Sequence, residues 1–244
     1  MAPEILVNIF LYIIFWQVLN RLSSVFSQSF KTYKTLNSSD AAYWDACVVS
    51  SLHAALISVY GFFLLFTTDI FSEGYQYTSP DVEAGINFMV GYLLSDAINC
   101  LQNRDWAGLN MTLLHHFAGS FCLGYLLVNS FGHGTAVLTF ILEFTTPFVN
   151  QRWFLDTSGM KQTLFYQING ALMTILWFII RIVLFGWSGY YYIYQMNSSL
   201  SILPLTHQSV VFGGFILGYW MQIVWFSKIM KGLLKMLKKP KESK

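Results

Sequence analysis

Charged residues are scarce in this chain: 11% of 244, where a soluble domain of that length carries about a quarter. A solvated globular surface cannot be built from so few, and a formal net charge of +2 offers no basic face for nucleic acid. Cysteine is nearly absent as well. The three thiols, Cys47, Cys100 and Cys122, lie in or beside apolar segments with no C-x-x-C pair, which argues against a disulfide framework and a cysteine-rich zinc module. Histidine numbers five and shows no repeated H-x-x-H-H pattern of the kind that membrane di-iron enzymes use, so no metal is expected; zinc on three ligands is the alternative.

What replaces charge is hydrocarbon: 55% of residues are hydrophobic, 18% aromatic, and the mean hydropathy is +0.50. Apolar runs of about 20 residues, enough to cross a bilayer as helix, recur along the chain. Seven spans are predicted, at about 4–20, 46–66, 82–101, 112–128, 134–150, 168–188 and 208–227. The fourth and fifth are joined only by "NSFGHG", a tight glycine-rich turn. No basic residue precedes the first run and no small-residue cleavage site follows it, so it reads as an uncleaved helix. The expected fold is an all-α polytopic membrane protein of about seven transmembrane helices. Residues 1–40 form the first helix and a linker, 41–235 a six-helix domain, and 236–244 a basic tail.

Charge distribution sets sidedness. Positive residues resist translocation and collect in cytosolic loops. With an odd number of spans and an outside N-terminus, Arg21, Lys31, Lys34, Arg104, Arg152, Lys161 and the seven lysines of "SKIMKGLLKMLKKPKESK" all fall inside. Arg181 alone is intramembrane, and the outer loops 67–81 and 190–208 contain no Lys or Arg. The tail from Lys228 reads as an anchor for the last span or as an amphipathic helix on an anionic leaflet. Of the sequons, Asn197-Ser-Ser falls outside and is open to glycosylation, whereas Asn37 and Asn110 fall on the cytosolic side.

Ionisable residues within a membrane usually face a protein interior or a wet cavity, and each is a functional candidate. At about 1.5 Å of rise per residue, His115 and His116 lie roughly 5 Å inside the cytosolic boundary. On the same rise, Asp96 lies about 8 Å in and His53 and Glu143 about 10 Å in. Two carboxylates and three imidazoles therefore share one slab. Neighbouring residues on a helix diverge by about 100°, so His115 and His116 cannot address one atom. One ring is expected to face a reactant while the other is held by Asp96 or Glu143. A carboxylate on one imidazole nitrogen fixes the tautomer and raises the basicity of the other, which suits deprotonation or a transient acyl-imidazole. The alternative is a set of helix-bridging, hydrogen-bonded histidines.

The segment "EFTTPFVNQRWFLD" is the densest in polar groups. Pro147 should kink the fifth span, with Thr145 and Thr146 re-bonding the freed carbonyls. Asn150 and Arg152 emerge at the cytosolic surface, where Arg152 can hold an anionic headgroup or the phosphates of a thioester donor. Arg181 either snorkels outward or pairs with Glu143 or a lipid phosphate. His53, Asn150, Arg152 and Arg181 are the substrate-binding candidates; His115, His116, Asp96 and Glu143 are the catalytic ones.

"SSLHA" in the second span, "GYLLSD" in the third, "HH" opening the fourth, "EFTTPFVNQRWF" across the fifth and "INGALMTILWFIIRI" in the sixth together resemble the TLC domain. That fold is shared by ceramide synthases, translocating-chain-associated membrane proteins and TLC domain-containing proteins, and the resemblance covers about residues 40–235. It implies a multi-pass protein of the endoplasmic reticulum, N-terminus lumenal and C-terminus cytosolic, whose helices surround a lipid-sized cavity. His115 and His116 match the histidine pair that serves acyl transfer from acyl-CoA in the synthases, and Glu143 falls near the first of their two downstream aspartates. Phe144, Thr145 and Thr146 follow, so the second aspartate has no match. The implied role is membrane-lipid homeostasis by binding, sensing or modifying phospholipid, sphingolipid or fatty-acyl species, with no bound cofactor and with self-association open. The alternatives are a lipid acyltransferase using acyl-CoA as co-substrate and, third, a membrane-protein chaperone or trafficking receptor.

Overall fold

The computed structural model describes residues 2–71, 73–195 and 197–237; of the expected basic tail, 238–244 lie outside them. Among the described residues the chain is all helix, in seven rods. The first four are α1 (Ala2–Ser27), α2 (Ser38–Thr67), α3 (Pro80–Gln102) and α4 (Leu109–Asn129). The fifth joins α5 (His133–Leu142) to α6 (Thr146–Thr157). The sixth runs through α7 (Leu164–Leu176) and α8 (Phe185–Gly189), and after the short α9 (Asn197–Ser201) the seventh is α10 (Leu205–Leu237). Six of these rods are long and apolar enough to cross a membrane. Large apolar side chains such as Leu6, Phe10, Phe66, Phe121, Leu164 and Ile216 stand outward and exposed, a surface suited to lipid and not to water. This is a polytopic membrane protein.

The fifth rod departs from the expected single span, and proline is the reason. Pro147 has no N–H for the carbonyl of Glu143, so the chain tightens into a 3₁₀ turn over Glu143–Thr145 and restarts as α6 with Pro147 in its first turn. Thr145 Oγ1 donates to the Leu142 carbonyl at 3.3 Å and Thr146 Oγ1 to Glu143 Oε2 at 2.8 Å. The break leaves α5 as a short helix at the centre of the core, with Ala136, Val137, Phe140 and Ile141 fully buried. Phe140 seats where α2 and α3 have no side chain: a Cβ on Gly85 or Gly61 would stand 2.6 or 2.9 Å from it.

The sixth rod widens into π-helix at Trp177–Leu184 and Tyr190–Gln195, a register change frequent at functional sites. Arg181 sits in the first of these. The 28–37 linker folds back on α2, with Tyr33 donating to Asp45 Oδ2 at 2.8 Å. Asn37, a sequon residue, caps α2 by accepting from the Asp40 N–H at 2.8 Å. Asn197 opens α9 and is exposed.

Candidate functional site

Two adjoining voids occupy the space between α2, α3, α4, the fifth and sixth rods and α10. The larger, about 650 Å³, opens among Trp106, Gly108, Arg152, Lys228 and Gly232, at the basic ends of the rods. We call it the vestibule. The smaller, about 180 Å³, is walled by apolar and small side chains including Ala118, Gly119, Leu138, Gly214 and Phe215, and reaches down to Tyr75 and Tyr192. We call it the shaft. Both are lined by Leu93, His115, Glu143 and Arg181, which mark the junction. From His115 to Leu126 along α4 the shaft wall runs twelve residues, eleven steps or about 17 Å of helix.

Asp96 on α3 faces α4, and with the proton on Nε2 His116 donates to its Oδ2 at 2.8 Å. His116 is buried against the wall. His115, one residue earlier and turned by about 100°, lies at the junction with its ring 5.5 Å from that of His116 and edge-on to Trp225 at 5.4 Å. Glu143 and Arg181 form the floor of the vestibule. Arg181 Nε donates to Thr145 Oγ1 at 2.6 Å, Nη2 to Thr146 Oγ1 at 3.0 Å and to Glu143 Oε1 at 3.5 Å, and Nη1 to Gln222 Oε1 at 3.3 Å. Its guanidinium also covers the Trp177 ring at 4.6 Å, a cation–π contact. Of the placements open to Arg181 in the sequence, the inward pair with Glu143 is the one adopted, because the π-turn rotates its side chain into the bundle.

Asn150 reaches back to α2, donating to the Cys47 carbonyl at 3.2 Å and to Ser51 Oγ at 3.0 Å. Arg152 stands at the rim with its guanidinium over the Tyr166 ring at 4.0 Å. Seven of the eight candidates thus line the vestibule. His53 does not. It is completely buried behind the wall, its ring stacked 3.8 Å from that of Tyr92 and edge-on to Trp16. Tyr92 stands between it and the cavity. Buried behind Tyr92, His53 is outside the vestibule lining that the other candidates share.

Several lining residues were not anticipated. Trp225 and Gln222 come from α10, whose apolar run showed no titratable group to draw notice. Cys100 is more telling: it lies four residues after Asp96, hence on the same face of α3. Donor atoms of Asp96, Cys100 and His116 lie within 4.8 Å of one another. The D-x-x-x-C spacing is present in the sequence, but it forms no metal-site pattern until His116 is brought to it from α4.

The TLC domain model matches residues 43–231, which takes in at least part of every helix that contributes to the cavity. TLC domain-containing protein 4-B of Xenopus laevis is 29% identical over 197 residues, 80% of this chain and 75% of that protein. TLC domain-containing protein 4 of Homo sapiens is 27% identical over 208 residues, 82% of this chain and 78% of that protein. An uncharacterised TLC domain-containing protein of Schizosaccharomyces pombe is 27% identical over 206 residues, covering 80% and 67%. With more than half its length under that model and its helices arranged around the matching segments, the chain belongs to the TLC-domain family of multi-pass membrane proteins.

Proposed function

We propose that this protein takes up an acyl-bearing membrane lipid, tail in the shaft and polar end in the vestibule, and acts in membrane-lipid homeostasis. The observation that carries this reading is the junction: a polar chamber and an apolar shaft meet at His115, Glu143 and Arg181. A shaft of about 17 Å is close to the depth of one leaflet, half of a hydrocarbon core of about 30 Å, and so accepts one chain. Lys and Arg gather at the vestibule end, which under the positive-inside rule supports a cytosolic opening; the membrane we propose is that of the endoplasmic reticulum. The test is mass spectrometry of lipid retained by the purified protein. A single-chain or acyl-bearing lipid held by the wild type and lost on Ala118→Phe, which fills the shaft, supports the reading; no retained lipid in either protein refutes it.

A second reading, acyl transfer, is favoured by one specific arrangement: His115 stands at the junction beside a histidine fixed by a carboxylate. In this reading neutral His115 attacks the carbonyl of an acyl-CoA thioester. The C–N bond forms, the C–S bond breaks, and the proton from the other ring nitrogen leaves with coenzyme A thiol. An acceptor amine or hydroxyl then attacks the acyl-imidazole, the C–N bond breaks, and the acceptor's proton returns to the ring. His116, oriented by Asp96, is the adjacent proton relay, and Arg152 faces the incoming phosphates. Labelled acyl-CoA incubated with amines, lysolipids and glycerolipids decides it. Transfer abolished by His115→Ala supports the enzyme, whereas absence of turnover with lipid still retained leaves binding or sensing as the function.

A further inference from the structure

One wall of the vestibule carries three kinds of metal donor at once. Asp96 and Cys100 project from the same face of α3, one turn apart, and His116 meets them from α4. All three line the vestibule, and their carboxylate oxygen, sulfur and imidazole nitrogen lie within 4.8 Å of one another. Among the described residues they are the one such group. We propose that Asp96, Cys100 and His116 bind a divalent cation with an affinity for sulfur, zinc by preference, leaving a fourth position open to the vestibule.

Donor chemistry and geometry support this together. A thiolate, an imidazole and a carboxylate are all established zinc ligands, and three protein donors with one open position is the pattern of catalytic rather than structural zinc. Bond lengths of 2.0–2.3 Å around a tetrahedral ion put ligand atoms about 3.3–3.8 Å apart. His116 Nε2 and Asp96 Oδ2, now 2.8 Å apart, would therefore separate by about half an ångström, while the sulfur, within 4.8 Å of both, would move inward by about one at most. Shifts of this size are of the order that side-chain rotation provides. A medium-to-soft ion is selected because magnesium and calcium require sets of oxygen ligands.

Loading has two consequences. The Cys100 thiol loses its proton as the S–metal bond forms, so one proton is released to solvent per ion bound and affinity rises with pH. In addition, Nε2 of His116 cannot both donate to Asp96 and bind a metal, so the hydrogen bond and the ion are mutually exclusive. Under the acyl-transfer reading zinc would remove the relay and inhibit. The site itself rests only on the geometry of the vestibule wall and stands whether or not lipid is retained or acyl groups are transferred.

The experiment uses the full chain in detergent, stripped with a chelator and titrated with cobalt(II) as a spectroscopic probe. The expected result is one equivalent bound, with a near-ultraviolet thiolate-to-cobalt band that zinc displaces. Cys100→Ser should abolish that band, Asp96→Asn should lower affinity by about 10-fold or more, and Cys122→Ser should leave it unchanged. Alkylation of Cys100 in the wild type, read by peptide mass spectrometry, should slow when zinc is added, a measurement that needs no variant. A cobalt complex lacking the thiolate band, a band undiminished in Cys100→Ser, or Cys100 alkylation indifferent to zinc overturns the proposal. Lipid retained in the same preparations is scored separately, so loss of one result does not decide the other.

Discussion

The two sides of the bundle bury histidine in opposite ways. On the side formed by α1, α2 and α3, His53 is clamped among Trp16, Phe88 and Tyr92, with ring centroids 5.4, 5.6 and 3.8 Å from its own. Neither of its nitrogens has a hydrogen-bond partner among the described residues. On the side enclosed by α4, the sixth rod and α10, His115 lines a void and His116 is tied to Asp96 at 2.8 Å. The residue type is the same on both sides; what differs is whether helices meet through interlocking aromatics or stand apart. Tyr92 is the partition, stacked on His53 on one face and edge-on to His116, 6.5 Å away, on the other. A membrane-buried histidine is therefore no sufficient sign of function: the surrounding space decides.

The largest expected effect comes from the hollow side, where a buried charge depends on a specific set of partners. Arg181 and Glu143 are nearly inaccessible, their side chains 5% and 10% exposed. Arg181→Met leaves the carboxylate buried without its cation, and removing one partner of such a pair costs about 3–5 kcal/mol. Arg181→Met with Glu143→Leu should recover most of that loss, because an apolar replacement of the whole pair is close to neutral. Unfolding in detergent, followed by tryptophan fluorescence, measures both. A double variant as unstable as the single one would mean that Thr145, Thr146 and Gln222, and not Glu143, are the partners that matter.

An intermediate effect is expected at the edge of the solid side. Tyr33 lies in the linker outside the spans and donates to Asp45, so Tyr33→Phe should cost about 1.5 kcal/mol, the value of a hydrogen bond to a charged group. Burial, reinforced by the hydrogen bond and the negative charge of Asp45, pushes the Tyr33 hydroxyl up to about 12. An unfolded tyrosine ionises near 10. The folded value is the higher, so the stabilisation is complete below about pH 10 and disappears as pH rises through about 12. Denaturation midpoints should therefore fall between those values in the wild type and fall less in Tyr33→Phe. Equal slopes would show that the linker is not held by this contact.

The division between the two sides was only half legible in the sequence. Hydropathy located the rods, and Pro147 announced the break in the fifth, because both depend on local composition. Azimuth was not legible: which way a side chain points around its helix depends on neighbours that are distant in sequence, and so His53 was grouped with Asp96 and His116 although Tyr92 intervenes. The π-turn that rotates Arg181 inward has no composition signature. Cys100 had one, four residues from Asp96, but its meaning depends on His116 arriving from another helix.

The smallest effect is the one that bears most directly on the comparison. If the solid side contributes only packing, His53→Phe should be nearly silent. A phenyl ring keeps the stack on Tyr92 and the edge contact with Trp16, and removes two polar nitrogens from a site with no exposure. An unsatisfied buried polar group costs about 1–3 kcal/mol, while the slightly larger ring costs a comparable amount by overpacking. The two terms oppose, so the unfolding free energy should stay within about 1 kcal/mol of the wild type, with retained lipid unchanged. His115→Phe, which alters the junction, should by contrast change the retained lipid at similar stability. Should His53→Phe empty the cavity while the fold survives, the aromatic clamp would be acting through Tyr92 on the vestibule wall, and the solid side would belong to the functional site after all.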